Sequence, residues 1–358
     1  MTPAQTVKCR LAAQRICATS FTRPVEVVAW LGAMQAQDYL GALWAVGLRL
    51  VGARESDVER ALADGSIVRT WPMRGTLHFV AASDARWLVE LTATRIVART
   101  ARRFRELGLD GAAMARARRI LVQRLADGRP LARRAVYQTL ERANVSTAGQ
   151  RGIHILWRLA QECLLCFGPR NGKEQTFVLF DAWLPCAKSR RREEALAELA
   201  CRYFTGHGPA TVADFTWWSG LSPSDARLAV HLAGGRLDEE TLDGRAAWLA
   251  PSATPRSARS SGAFLLPAFD EFTVGYTDRS AALHPAHAKQ VNAGGGILKP
   301  VMVVDGRIVG TWQRRLGRGN VALSQTAFVP LAESKARAIR AAFRRYADFL
   351  GVQILLEK

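Results

Sequence analysis

The sequence predicts an α+β fold, mostly helical, with three tandem winged helix-turn-helix units ahead of a β-rich C-terminal region. Three observations carry this. Apolar residues recur at helical spacing through most of the chain before Ser252. Each run of helices is followed by two short alternating segments joined by turn residues. Beyond Gly262 the apolar period shifts toward two, the mark of strands.

Residues 7–19 read as a short helix with Leu11, Ile16 and Cys17 turned inward. Thr22 followed by Pro24 marks a helix start, because proline is tolerated in the first turn. Val25, Val28, Leu31 and Met34 follow at helical spacing, and Gly32 with Gln35-Ala36-Gln37 ends the run. Asp38 is placed to cap the next helix, which carries Leu40, Leu43, Trp44 and Leu48; Ser56 is placed to cap one over 56–63. Residues 67–71 and 76–80 then alternate as strands around the turn Pro72-Met73-Arg74-Gly75. This order assigns residues 1–83 to a first winged helix.

The same order returns twice. Positions 84–145 are helical and rich in arginine, including Arg95, Arg99, Arg102, Arg103, Arg116, Arg118 and Arg119. A helix at 132–143, another at 153–161, and strands at 164–167 and 175–179 around Gly168-Pro169-Arg170-Asn171-Gly172 make residues 84–190 a second unit. A helix near 193–205 precedes two more at 212–219 and 225–232, the last opened by Ser222-Pro223-Ser224. A wing at 237–242 and 245–249 completes a third unit over residues 191–252. Residues 252–262, rich in Ser, Arg and Pro, read as a linker or mobile loop. Strands follow at 264–266, 301–304, 307–311 and 321–328, with Asp305-Gly306 as a hairpin signal and a last helix at 332–350. Residues 253–358 are therefore an α+β region whose strands curl into a sheet or a small barrel, β-barrel-like in character.

The formal net charge is +19, from 50 Lys and Arg against 31 Asp and Glu. Most of that surplus is arginine, whose planar fork of donors grips phosphate. A high-GC genome inflates Arg, Ala and Gly, but does not explain the lag in acidic residues. The charge selects a polyanionic partner, nucleic acid before an anionic membrane. At 49% hydrophobic residues the chain is folded rather than disordered. The polar, amphipathic start does not read as a signal peptide, and no stretch reaches the roughly 18 apolar residues of a membrane span. These readings place the chain in the cytoplasm of a bacterial-type cell, associated with the nucleoid, and away from membranes.

Six cysteines, Cys9, Cys17, Cys163, Cys166, Cys186 and Cys201, read as free thiols in a reducing compartment. Cys163-Leu-Leu-Cys166 has no second pair and no HxxxH partner, whereas a zinc site needs about four ligands. Buried small hydrophobes are the better reading, and no metal or cofactor is expected.

Five motifs carry a family resemblance. They are Met34-Gln35-Ala36-Gln37-Asp38, Arg74-Gly75-Thr76-Leu77-His78, Leu265-Leu266-Pro267-Ala268-Phe269-Asp270-Glu271, Gly294-Gly295-Gly296-Ile297-Leu298-Lys299-Pro300, and residues 304–312 (VDGRIVGTW). Each is weak alone; in this order they resemble the AlkZ-like branch of bacterial DNA glycosylases over nearly the whole chain. The resemblance implies three winged helices lining a concave DNA channel. It also implies a catalytic glutamine-x-glutamine motif, which falls on Gln35 and Gln37. A related branch carries Asp at the second position, where this chain has Gln37. The implied activity is that of a monofunctional N-glycosylase acting on cationic N7-alkylated purines in duplex DNA, bulky or crosslinked adducts among them.

The chemistry is consistent from below. A purine alkylated at N7 or N3 carries positive charge, so it leaves as a neutral base without needing a proton. What remains is to place a water at the anomeric carbon and stabilise an oxocarbenium-like state. A glutamine amide offers an acceptor and two donors, so two can hold a water from both sides. In an extended segment, residues i and i+2 face the same side; on a continuous helix they diverge by about 200°. Catalysis at Gln35 and Gln37 therefore requires a helix break at 35–37. Without the resemblance, the two read as polar helix-end residues bonded to backbone.

Asp38 could act as a base or stabilise positive charge, or simply cap a helix. His78, after Thr76 on the hairpin, could contact a lesion or phosphate, or be a strand histidine satisfied by a backbone carbonyl. Arg74 at the turn suits phosphate or the minor groove. His207 reads as structural. Asp270, Glu271, Asp278 and Arg279 read as an ion-pair network, Gly294–Gly296 as a tight turn rather than a phosphate loop, and Trp217-Trp218 as core. Two other functions fit the same order of elements: a non-enzymatic winged-helix transcriptional regulator, and a protein-interaction scaffold. A regulator would read a palindrome as a dimer, whereas three units in one chain suit a monomer.

Overall fold

The computed structural model describes residues 1–17, 19–251, 262–294, 296–317 and 319–356. They fall into two compact units. The first joins Met1–Glu59 to Leu196–Lys358; the second is Arg60–Ala195.

Helix α1 (Pro3–Ala13) starts earlier than its apolar spacing suggests, because Thr2 and Gln5 form a capping box and Pro3 occupies the first turn. It stops before Ile16, where Arg15 turns to φ 58°. Helix α2 (Pro24–Leu31) opens on proline as expected and ends at Gly32, whose φ of 80° a side chain would resist. The short strand β1 (Met34–Gln35) and helix α3 (Tyr39–Gly47) follow. Helix α4 (Glu55–Ala63) takes in Ser56, so that serine is not its cap. Asp57 instead reaches back to accept from the Arg54 backbone N–H at 2.8 Å.

The second unit begins with β2 (Ile67–Thr70) and β3 (His78–Ala81), an antiparallel pair with Ile67 opposite Ala81 and Thr70 opposite His78. A 3₁₀ turn at Met73–Gly75 joins them, with Arg74 at φ 58°. The arginine-rich stretch forms α5 (Ala85–Glu106) and α6 (Gly111–Leu125), the latter capped by Asp110. Then come β4 (Leu131–Ala132), α7 (Arg133–Arg142), α8 (Arg151–Gln161), β5 (Leu165–Phe167), β6 (Thr176–Leu179) and the single turn α9 (Phe180–Trp183). The three strands pair in the order β4-β6-β5. Leu121, Leu140, Ile155, Leu159 and Phe177 pack one apolar core with Trp71 and Phe104. Cys163 and Cys166 are also buried. Burial pushes the Cys163 thiol up to about 12, since a thiolate there would lose its water.

The first unit resumes with α10 (Arg192–His207), α11 (Val212–Ser219) and α12 (Pro223–Ala233). Thr211 and Asp214 form a capping box on α11, and Ser222 caps α12 by accepting from the Asp225 N–H at 3.1 Å. Strands β7 (Asp238–Leu242) and β8 (Arg245–Leu249) pair antiparallel. The linker reading for 252–261 falls outside the described residues.

Next come β9 (Ala263–Leu266), α13 (Glu271–Val274), α14 (Ala288–Val291), β10 (Asn292–Gly294) and β11 (Ile297–Leu298). The chain ends with β12 (Val301–Val304), β13 (Arg307–Leu316), β14 (Asn320–Ala327), α15 (Glu333–Leu350) and β15 (Gln353–Leu356). Asp305 and Gly306, at φ 49° and 81°, make the two-residue turn between β12 and β13. The five long-range strands form a sheet in the order β15-β14-β13-β12-β9. Of the sheet and barrel alternatives, the described strands form the sheet, with β15 and β9 at its two edges. Helix α15 lies against it and against α3: the Tyr346 ring is 5.0 Å from Trp44 and 5.2 Å from Trp312. Trp44 donates to the Leu265 carbonyl at 2.7 Å and Trp312 to that of Leu266 at 2.9 Å. Two indoles thus fix the end of β9 just before Pro267–Glu271.

Candidate active site

Between α2 and α3 the chain is not helical, which is the condition a two-glutamine site requires. Gly32 ends the helix and the backbone runs extended through Met34 and Gln35. Met34 is 1% and Ala36 0% exposed, while Gln35 is half-buried and Gln37 exposed. The two apolar residues anchor the segment and leave both amides on the opposite side. There they meet: Gln35 Nε2 donates to Gln37 Oε1 at 2.8 Å. That bond engages one N–H of Gln35 and the side-chain oxygen of Gln37.

Glu271 holds the segment from below. Its Oε1 accepts from the Gln35 backbone N–H at 2.9 Å. Its Oε2 accepts from Trp218 Nε1 at 2.7 Å and lies 3.1 Å from His207 Nε2. Glu271 and His207 are both buried, and His207 Nδ1 faces the Tyr203 carbonyl at 3.2 Å. A buried carboxylate meeting several donors is a rigid post rather than a proton-transfer group. Sequence reasoning missed this link, since 236 positions separate the two residues.

Asp38 sits at the N-cap position of α3, but its side chain makes no cap hydrogen bond. Both carboxylate oxygens instead accept from Arg314 Nη2 at 3.0 Å. A guanidinium on β13 outcompetes the neutral helix amides for the charge. Gly41 permits this, because a Cβ there would overlap the Asp38 carboxylate. Arg314 carried no motif signal.

The expected network among Asp270, Glu271, Asp278 and Arg279 resolves into separate partnerships. Asp270 receives Arg49 through two bonds of 2.9 Å, both residues fully buried. Arg49 also donates to the Gln14 side chain and to the carbonyls of Gln14 and Ala45. Asp278 accepts from the Ser280 N–H at 2.9 Å, and Arg279 donates to the Thr273 carbonyl. Long-range geometry, not sequence adjacency, chose these partners. Trp218 is core as expected, whereas Trp217 is half exposed and donates to the Val274 carbonyl at 3.2 Å. The face of α11 that buries Phe215 and Trp218 turns Trp217 outward.

The remaining predicted site residues belong to the second unit. Arg74 is half-buried at the β2–β3 turn. Thr76 is half-buried, its hydroxyl 3.4 Å from the Met73 carbonyl. His78 is fully buried, with Nδ1 2.9 Å from the Thr76 carbonyl. That is the arrangement of a strand histidine bonded to backbone. Among the described residues no group of three or more His, Cys, Asp or Glu is placed to hold a metal ion.

The model of the AlkZ-like DNA glycosylase family matches residues 28–349, a span that includes the glutamine segment, Glu271 and Arg314. The chain belongs to that family. It is accordingly a DNA glycosylase, a hydrolase of N-glycosyl bonds. It is 32% identical over 317 residues to the interstrand DNA cross-link repair glycosylase of Streptomyces sahachiroi, covering 80% of this chain and 81% of the relative. Its fold matches the solved structure of Streptomyces sahachiroi DNA glycosylase AlkZ with a TM-score of 0.83 at 25% identity, over the full length of both chains. The α+β class read from the sequence holds over that length. No helix among the described residues is long and apolar enough to cross a membrane.

Proposed function

We propose that the chain hydrolyses the glycosidic bond of cationic N7-alkylated purines in duplex DNA, with Gln35 and Gln37 holding the attacking water. One observation carries the reading: the two amides meet at 2.8 Å on the open side of a non-helical segment whose alternate residues are buried. The C1′–N9 bonding pair moves to the purine and neutralises it. The water oxygen bonds C1′ and gives up its proton to solvent. Neutral amides suffice because the leaving group is already activated, and the same weakness leaves ordinary purines alone. Asp38, neutralised by Arg314, shapes the site rather than taking the proton.

The substrate extends to bulky and crosslinked guanines. The Streptomyces sahachiroi relative is a cross-link repair glycosylase, which supports that range. Residues 1–83, 84–190 and 191–252 act as three winged-helix modules, followed by the sheet region at 253–358. The orders α6-β4-α7-α8-β5-β6 and α10-α11-α12-β7-β8 support this. Arg74 contacts DNA phosphate, Thr76 and His78 shape the turn that presents it, and the enzyme works as a cytoplasmic, nucleoid-associated monomer without metal or cofactor.

The test is base release from a panel of duplexes carrying N7-alkylguanines of increasing size, with and without EDTA. Release of the alkylated base to leave an abasic site is expected in both. Gln35→Ala and Gln37→Ala should each slow release by about 100-fold or more, as loss of one transition-state hydrogen-bond partner does elsewhere. Duplex affinity should stay within about threefold. No release from any member of the panel would end the proposal.

A further inference from the structure

We propose that the second unit carries a pocket for one nucleotide displaced from a DNA strand, built from α5, α8 and the β2–β3 turn. It rests on DNA being the ligand. One helix of this unit cannot do its usual work. In a helix-turn-helix the second helix enters the major groove, and here that helix is α8, which follows α7 and precedes the β5–β6 hairpin. No residue of α8 is exposed. Ile155, Leu156 and Leu159 face the core. On its other side His154 and Trp157 lie against Phe104 of α5, with ring centroids 5.8 and 5.9 Å apart. Arg103 of α5 adds a bond of 3.1 Å to Gln150, just before the helix. A helix needs one bare side to fill a groove about 12 Å wide, and the least buried residues of α8 are only partly open.

The covered face does line a cavity of about 480 Å³. That is ample for a base with its sugar, and within the range of small-molecule sites. Ile96, Ile153 and Trp157 supply apolar and aromatic walls, Arg74 and Arg99 supply guanidinium groups, and His154 completes the lining. No carboxylate is among the lining residues. The Trp157 indole is fixed by donating to the Gly75 carbonyl at 3.3 Å. Arg99 forms no ion pair among the described residues, whereas Arg102 and Arg103 on the same helix share Glu106. An aromatic wall beside two guanidiniums is the chemistry that receives a base and its phosphate together. The larger hollow between α7 and the β5–β6 turn lacks this selectivity, because Glu141 and Glu174 stand among its arginines.

The test uses the full-length protein and two unalkylated duplexes of one sequence, each carrying a single 5-iododeoxyuridine, either bulged out or paired. The bulged duplex should bind about tenfold tighter, the scale of one base stacked on an aromatic side chain. Irradiation should crosslink the iodouracil to Trp157 or His154, as located by peptide mapping. Arg99→Ala removes an exposed side chain and should reduce the preference to within about twofold. Equal affinity for both duplexes, or crosslinks confined to other residues, would overturn the pocket while leaving base release at the glutamines intact. Absence of binding to either duplex, together with no base release, would defeat the glycosylase reading as well.

Discussion

In the unit that holds the glutamine segment, the decisive charges are matched: Arg49 with Asp270 and Glu271 with its donors in the interior, and Asp38 with Arg314 half-buried. In the arginine-rich unit Arg69 and Asp84 are buried but most arginines lie outside, and Arg95 and Arg99 on α5 form no ion pair among the described residues. Buried pairs contribute little net stability for their desolvation cost, but they fix geometry, because moving either partner strands a charge. Exposed cations fix nothing and remain available to a polyanion. The first unit therefore uses ionic groups to hold two amides still, and the second keeps most of its cations on the surface.

Four experiments test this contrast. Asp270→Ala should cost about 3–5 kcal/mol in denaturant unfolding, because Arg49 would be left buried and unpaired. A loss below 1 kcal/mol would mean that the pair is not structural. Glu271→Gln is a smaller change. An amide offers one oxygen where donors approach both, so base release should slow about tenfold while duplex affinity holds. Weakened binding at an unchanged rate would move Glu271 out of the site.

Third, alkaline pH should weaken the second unit. Cys163 stays protonated in the fold up to about 12, whereas an unfolded thiol ionises near 9. Between those values the unfolded state binds fewer protons, so stability falls as pH rises, by about 1.4 kcal/mol per pH unit for this thiol. Cys163→Ala should remove this thiol's share of the slope in unfolding curves taken from pH 8 upward, leaving the share of Cys166, whose thiol burial also pushes up. The smallest effect belongs to Arg95→Ala, which should leave stability within about 0.5 kcal/mol. It should lower the slope of log affinity against log salt by about one if Arg95 touches a phosphate.

The sequence exposed features whose causes are local. Ser222-Pro223-Ser224 as a helix opening, Asp305-Gly306 as a turn and the β2–β3 hairpin all depend on neighbours within a few positions. It also showed where the helix must break if Gln35 and Gln37 are to meet. It misjudged residues whose partner lies far along the chain. Asp38 occupies a cap position but bonds Arg314, 276 residues away. Glu271 looked like part of a charged cluster but supports Gln35. Ser56 failed for a different reason: the helix starts one residue earlier, at Glu55, which places Ser56 inside the first turn. Trp217 and Trp218 are adjacent on one helix, and the 3.6-residue repeat sends one inward and one out.

The first unit is assembled from both ends of the chain, with Arg60–Ala195 inserted between them. Gln35 and Gln37 leave the ribosome early, but Glu271 and Arg314 are translated only in the last third. Until then the loop has nothing to stand on, while the inserted unit already has its whole core in hand. A chain that ends before Glu271 thus lacks the carboxylate that holds the Gln35 backbone, yet keeps every residue of the inserted unit's apolar core.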